Sequence, residues 1–208
     1  MDVKLLAITP NAEKIIEQAG RTCYQSASRI EHGSEMKLIF KMIEMGHHAV
    51  LEHACATFKV TGVSRSFTHQ LVRHRLCSFS QQSQRYVNEK KFDFVEPESI
   101  ACDTEAHSLF EQFMVQAKAA YCRLQKLGIK NEDARFVLPN AVESEIVISA
   151  NFRQFRHMFC LRCGRHAQWE IRKVCLCMLQ VLQKEAPSVF GDFVIDQGLL
   201  TASTPFPS

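Results

Sequence analysis

The chain has 208 residues, 46% of them apolar and 23% charged, with a formal net charge of +3. That is enough to bury a core in one domain or two small ones, and it is the composition of a soluble globular protein. The charge is too small for wholesale nucleic-acid binding, so local clustering of charge is the useful signal. The start lacks a signal peptide's basic and long apolar regions, and the longest apolar run, Val174 to Leu182, falls far short of the ~20 residues that span a bilayer. Nine cysteines without a secretion signal read as reduced thiols of a cytoplasmic protein.

In chain order, Val3 to Thr9 reads as a strand. Pro10 then suits a helix start, and Ala12, Ile15, Ile16 and Ala19 recur at helical spacing until Gly20. Ser34 is placed to cap a second helix ending at Gly46. Cys55 to Val63 alternates apolar and polar residues, a half-buried strand. Ser64 then caps a helix that runs into an arginine-rich segment. Beyond Tyr86 the chain reads as loop, broken by Pro97. A long helix is predicted from Thr104 to Gly128, with Leu109, Phe113, Ala117, Ala120 and Leu124 as its apolar stripe. A short helix capped by Asn131 ends before Pro139. Glu145 to Asn151 is a strand, helices over 151–163 and 165–185 flank Gly164, and residues from Leu199 read as a frayed tail. The implied class is α+β: one domain over 1–198 with a small, mostly antiparallel sheet and several long helices, then a tail over 199–208.

The segment Arg73 to Tyr86 carries three arginines, one histidine, three serines and three glutamines, and no acid. Its cations have no partners nearby in sequence, which suits an external anion; hydroxyls and amides beside them suit phosphate oxygens and a heterocycle with donor and acceptor edges. Arg65, His69 and Arg73 are spaced by four and would share a helical face, with Gln70 at its border. A solvated basic face is the plainer alternative. Arg153, Arg156 and His157 can likewise project together, Arg162, Arg165 and His166 surround Gly164, and Arg135 lies before Pro139. Separated arginines converging on one site would suit ligands with several phosphates. None of the eight glycines forms a Gly-x-Gly, so phosphate would be held by side chains and helix N-termini.

Cys160-x-x-Cys163, His166 and Cys175-x-Cys177 invite a zinc reading. They fall within apolar helical pattern and lack a second Cys-x-x-Cys, so core packing is preferred and no metal is expected. His47, His48 and His53 could be a proton-transfer site or structural. Ser83 lacks a Gly-x-Ser-x-Gly surround and reads as a phosphate ligand.

Arg73-His74-Arg75, seven residues and then Ser83, followed by Arg85-Tyr86, resembles the signature of the flavin-dependent thymidylate synthases. The likeness extends to His47-His48-Ala49-Val50-Leu51-Glu52-His53, to Ala134-Arg135-Phe136-Val137-Leu138-Pro139, to Asn151-Phe152-Arg153, to Leu161-Arg162 and to His166-Ala167-Gln168-Trp169-Glu170-Ile171. The resemblance implies reductive methylation of dUMP to dTMP by a cytoplasmic homotetramer with active sites at its subunit interfaces. It implies FAD as cofactor, NADPH and methylenetetrahydrofolate as co-substrates, and neither nucleic acid nor membrane as partner. By motif, Arg73, His74, Arg75, Asn151, Arg153 and His157 would meet FAD, as would Gln81 and the backbone at Ala49, where other members often carry a hydroxyl. Gln70, Arg73, Gln81, Gln82, Ser83, Gln84, Arg85 and Arg135 would meet dUMP; His47 and His53 match histidines near the flavin. Arg162 matches the arginine credited with activating the uracil ring. A guanidinium stays protonated, so its role would be to stabilise negative charge as N3 loses its proton. No cysteine follows a proline, in keeping with a mechanism that uses no cysteine nucleophile.

Overall fold

The computed structural model describes residues 1–203. In chain order these form β1 (Asp2–Ile8), α1 (Ala12–Cys23), α2 (Ser34–Glu44), β2 (Cys55–Ser64), α3 (Arg65–Leu71), β3 (Ser78–Gln81), α4 (Glu98–Ala101), α5 (Thr104–Lys126) and α6 (Asn131–Ala134). They continue with β4 (Glu143–Asn151), α7 (Phe152–Arg162), α8 (Trp169–Glu185), α9 (Pro187–Phe190), β5 (Val194–Asp196) and β6 (Leu199–Ala202). Short 3-10 turns at Ala27–Arg29, His48–His53 and Arg135–Val137 complete the described elements. The fold is α+β, as expected. Four strands form a sheet in the order β1-β2-β4-β3, and β5 and β6 form a two-stranded sheet. Thr9 N–H donates to Cys55 and Phe152 N–H to Ala54, while Arg65 N–H reaches Val142. Those crossings run β2 antiparallel to β4, and the approach of Met1 to Gly62 does the same for β1.

The chain forms two compact units, each discontinuous in sequence. One comprises 1–2, 61–71 and 80–146; the other comprises 3–60, 72–79 and 147–203 of the described chain. In the first, Phe92, Met114 and Val142 form a small core with Phe110, Leu138 and Ala141. In the second, Phe58 meets Phe155 edge-on at 5.6 Å, and Phe155 stacks on Phe159. Phe190 packs against Phe152 and Phe159. On α8, Ile171, Val174, Cys175, Met178, Leu179 and Leu182 are all buried, a stripe of period 3.6 that drives this helix onto the core.

Several boundaries differ from expectation for local reasons. Asn11, in the left-handed conformation, starts α1 rather than Pro10. Gly20 lies within that helix. A Cβ there would collide with the Met42 Cε methyl, so the glycine serves close helix packing and does not end the helix. Gly33 (φ 77°) precedes α2, leaving Ser34 as its first residue; the Ser34 hydroxyl bonds the buried Glu17 carboxylate instead. Asp103, not Thr104, caps α5 by accepting from the Glu105 and Ala106 N–H groups. That helix buries Met114, Ala117 and Tyr121, leaving the expected Leu109 and Phe113 at 69% and 54% exposure. Both stripes have helical period, so periodicity could not choose between them. Gln168 caps α8, which therefore starts after Arg165. Leu199 is not frayed: Gln197 and Gly198, both at positive φ, turn the chain so that Asp196 pairs with Leu199. Of the expected tail, 204–208 lies outside the described residues. Among the described residues no helix is long and apolar enough to cross a membrane.

Candidate functional site

A cleft of about 650 Å³ opens in the second unit, lined by Arg73, His74, Arg75, Asn151, Arg153, His157 and Arg162, with Glu52, Leu76, Gln154 and Leu161 between them. Its size is that of a small-molecule site. Two segments build it. The first follows α3, which ends at Leu71; Arg73 to Arg75 therefore lie on a turn, and the expected helical face of Arg65, His69 and Arg73 does not form. The second is α7. Asn151 Oδ1 accepts from the Gln154 N–H at 2.8 Å and so fixes where that helix begins. Arg153, His157 and Leu161, spaced by four, then present one exposed face to the cleft.

Arg156 does not join them. Its side chain is fully buried, lies 4.6 Å from the centre of the Phe193 ring, and makes a fork of hydrogen bonds to Asp192 at 2.6 and 2.7 Å. It also donates to the Val189 carbonyl. One helix thus uses its arginines oppositely: Arg156 braces the core and Arg153 faces the cleft.

Electrostatically the cleft is cationic, with Glu52 the single carboxylate along its described walls, bonded to Arg153 at 2.5 Å. Both partners are nearly half exposed, so this pair contributes little and is readily exchanged. His74 is 6% exposed. Burial, then the neighbouring Arg162 and His157, hold its imidazole down to about 4. It is therefore neutral at physiological pH, and its Nε2 accepts the Arg162 Nε–H at 3.0 Å. The Arg162 terminal nitrogens have no carboxylate partner among the described residues. Beside this pair, the Gln154 amide meets the Cys77 thiol, which burial pushes up to about 11.

The remaining expected ligands lie in the first unit. Gln81 donates to the Thr68 and Ser144 hydroxyls, and Gln82 to the buried Glu89 carboxylate. Burial raises Glu89 above the usual carboxylate range. Ser83 Oγ accepts the Arg85 N–H, and the Arg85 guanidinium rests on Glu132 at 3.1 Å. Arg135 bonds the Glu132 carbonyl, and the Gln70 amide donates back to the Ser66 carbonyl. Gln84 is half-buried beside them. Arg65, deeper in this unit, is lowered by burial and by the Arg135 charge.

Ala49 sits exposed on the 48–53 turn and does not line the cleft; neither do His47 and His53. His48 turns inward, its Nε2 at 3.2 Å from the Ile43 carbonyl oxygen, and burial lowers its pKa. Sequence reading missed Glu52 and Gln154. The first sits inside the His47–His53 run, and the second is an uncharged, buried residue between Arg153 and His157 in sequence. Cys163 and Cys175 are buried, with thiols raised by desolvation, the former to about 12.

Fold and cleft define an α+β protein with a cationic cleft of small-molecule size, built from side chains. The family described as thymidylate synthase complementing protein matches residues 4–188. A flavin-dependent thymidylate synthase of Geobacter sulfurreducens is 40% identical, covering 99% of this chain and 91% of the relative. That of Nitratidesulfovibrio vulgaris is 42% identical, covering 91% and 85%. Thymidylate synthase X from Helicobacter pylori, solved with FAD and dUMP, shares the fold with a TM-score of 0.80 at 24% identity, over 92% of this chain and 98% of that one. The chain belongs to the flavin-dependent thymidylate synthase family, whose members are enzymes that use a flavin.

Proposed function

We propose that this chain converts dUMP to dTMP in the cytoplasm by reductive methylation, with FAD as cofactor, methylenetetrahydrofolate as carbon donor and NADPH as reductant. The observation that carries the reading is the acid-poor cleft in which the Arg162 guanidinium is held by a neutral imidazole, with no carboxylate on it among the described residues.

The residues present fit FAD. Four arginines face one carboxylate, as a pyrophosphate requires, and Asn151 keeps its amide N–H₂ after giving its oxygen to the helix cap. Arg73, His74, Arg75, Asn151, Arg153 and His157 would hold the cofactor, which when bound supplies the hydride that reduces the transferred carbon. For dUMP, Gln70, Arg73, Ser83, Gln84, Arg85 and Arg135 offer donors to phosphate and ribose. Arg85 would exchange the exposed Glu132 carboxylate for the phosphate, a replacement that costs little. Gln81 and Gln82 would act mainly by shaping the loop, since both amides are engaged within it.

Arg162 cannot act as a base. It would stabilise the negative charge that develops on the uracil as N3 gives up its proton, which favours addition of the ring carbon to the one-carbon unit. A homotetramer with sites at subunit interfaces accords with the large apolar side chains left exposed, among them Leu109, Phe113 and Phe136.

The test is a visible spectrum of purified protein supplied with FAD, then anaerobic NADPH and a dUMP methylation assay. Flavin bands that NADPH bleaches, with dTMP formed only when methylenetetrahydrofolate is present, support the reading. A colourless protein that fails to take up FAD overturns it.

A further inference from the structure

The Arg162–His74 contact does more than line the cleft. Given the role proposed for Arg162, on which this rests, we infer that His74 is the positioning residue for that arginine, its Nε2 accepting the Nε–H so that the two terminal nitrogens stay turned toward the anionic ligand. Three observations carry this. The hydrogen bond is 3.0 Å and joins residues 88 apart in sequence, so it fixes the α7 end against the Arg73–Arg75 turn. His74 is buried while Arg73 and Arg75 on either side are exposed, so the histidine of this triplet faces inward and its neighbours outward. Arg162 has no carboxylate partner among the described residues.

The choice of partner has a chemical logic. A carboxylate on Nε would lend Arg162 negative charge and blunt its pull on the uracil. A neutral imidazole orients the guanidinium and leaves its full positive charge for the ligand. The bond also fixes the imidazole: Nε2 is the acceptor, so the proton sits on Nδ1. The charged or titratable groups that act on His74 are Arg162 and His157. Protonating His74 would turn acceptor into cation, break the bond and free the arginine to swing.

The experiment is a double-mutant cycle at saturating FAD. His74→Leu should lower kcat on the order of tenfold to a hundredfold, the cost of a catalytic group displaced by about 1 Å. His74→Gln, whose amide oxygen can accept the same bond, should recover most of that loss. In an Arg162→Ala background His74→Leu should cost almost nothing more, because the two act as one unit. Nitrogen-15 spectra of labelled histidine add a readout independent of turnover: the Nδ1–H tautomer in the parent and a tautomer mixture in Arg162→Ala. Additive losses, equal defects in His74→Leu and His74→Gln, or an unchanged tautomer would each overturn the inference while leaving the enzyme reading intact. A parent protein that loads FAD and forms no dTMP would overturn both.

Discussion

The cleft of the second unit and the Ser83–Arg85 loop of the first both draw on one acid-free run, yet they hold their cations differently. In the cleft, Arg162 is oriented by a neutral ring and Glu52 is the only carboxylate among the described lining residues. In the loop, Arg85 lies on the Glu132 carboxylate and Arg135 on the Glu132 backbone oxygen, while Gln82 ties down Glu89. The Glu89 N–H in turn donates to the Tyr121 hydroxyl, itself held by Gln125. The loop is thus pre-satisfied, and ligand binding there would be an exchange of partners. In the cleft it would be largely an addition, since among the described lining residues only Arg153 carries a carboxylate. A run without acids in sequence is not a run without acids in space: Glu132 arrives from 47 residues away.

The contrast can be broken first where α7 turns its back on the cleft. Asp192→Ala would leave the Arg156 charge buried and unpaired, a loss of about 3–5 kcal/mol of stability by denaturant unfolding. A change below about 1 kcal/mol would show that Arg156 finds water or another partner. Next, Arg162→Ala should cut dTMP formation on the order of a hundredfold to a thousandfold, while the lost bond to His74 costs stability only about 1–3 kcal/mol; near-normal turnover would remove its role.

The neutral ring predicts a pH signature. The folded His74 is depressed to about 4 from 6.5, so above 6.5 both folded and unfolded chains leave it neutral. As pH falls from 6.5 toward about 4 only the unfolded chain takes the proton, and stability declines by up to about 3 kcal/mol. His74→Gln should flatten that part of the stability profile, and an unchanged slope would mean that other groups cause it. The smallest effect belongs to the loop. Glu132→Gln, removing an exposed pair, should change stability by less than about 1 kcal/mol and tighten dUMP binding a few-fold. Weaker dUMP binding would mean that Glu132 positions Arg85 rather than competing for it.

What could be read in advance came from local chemistry. The β2 alternation and the arginine motif rest on spacing along the chain, and Arg73, His74, Arg75, Asn151, Arg153, His157 and Arg162, all candidates by motif, line one cleft. What escaped depends on partners remote in sequence. Arg156 has the spacing of a site residue, and only Asp192 and Phe193 reveal it as a core residue. Gly20 looks like a stop signal until Met42 occupies the space its missing Cβ leaves. The two candidate stripes of α5 are equal by period, and the small core at Phe92 and Val142 selects Met114 over Phe113. The β5–β6 turn uses Gln197 at positive φ, a residue type that rarely marks such turns.

The Arg156–Asp192 fork also bears on how the protein responds to heat. Stripping water from a buried ion pair becomes less costly as temperature rises, while the return from burying apolar surface levels off. The brace behind α7 therefore gains weight, relative to the phenylalanine packing around it, as the chain warms. The helix that carries Arg153, His157 and Arg162 should be among the last parts of its unit to loosen on the way to thermal unfolding.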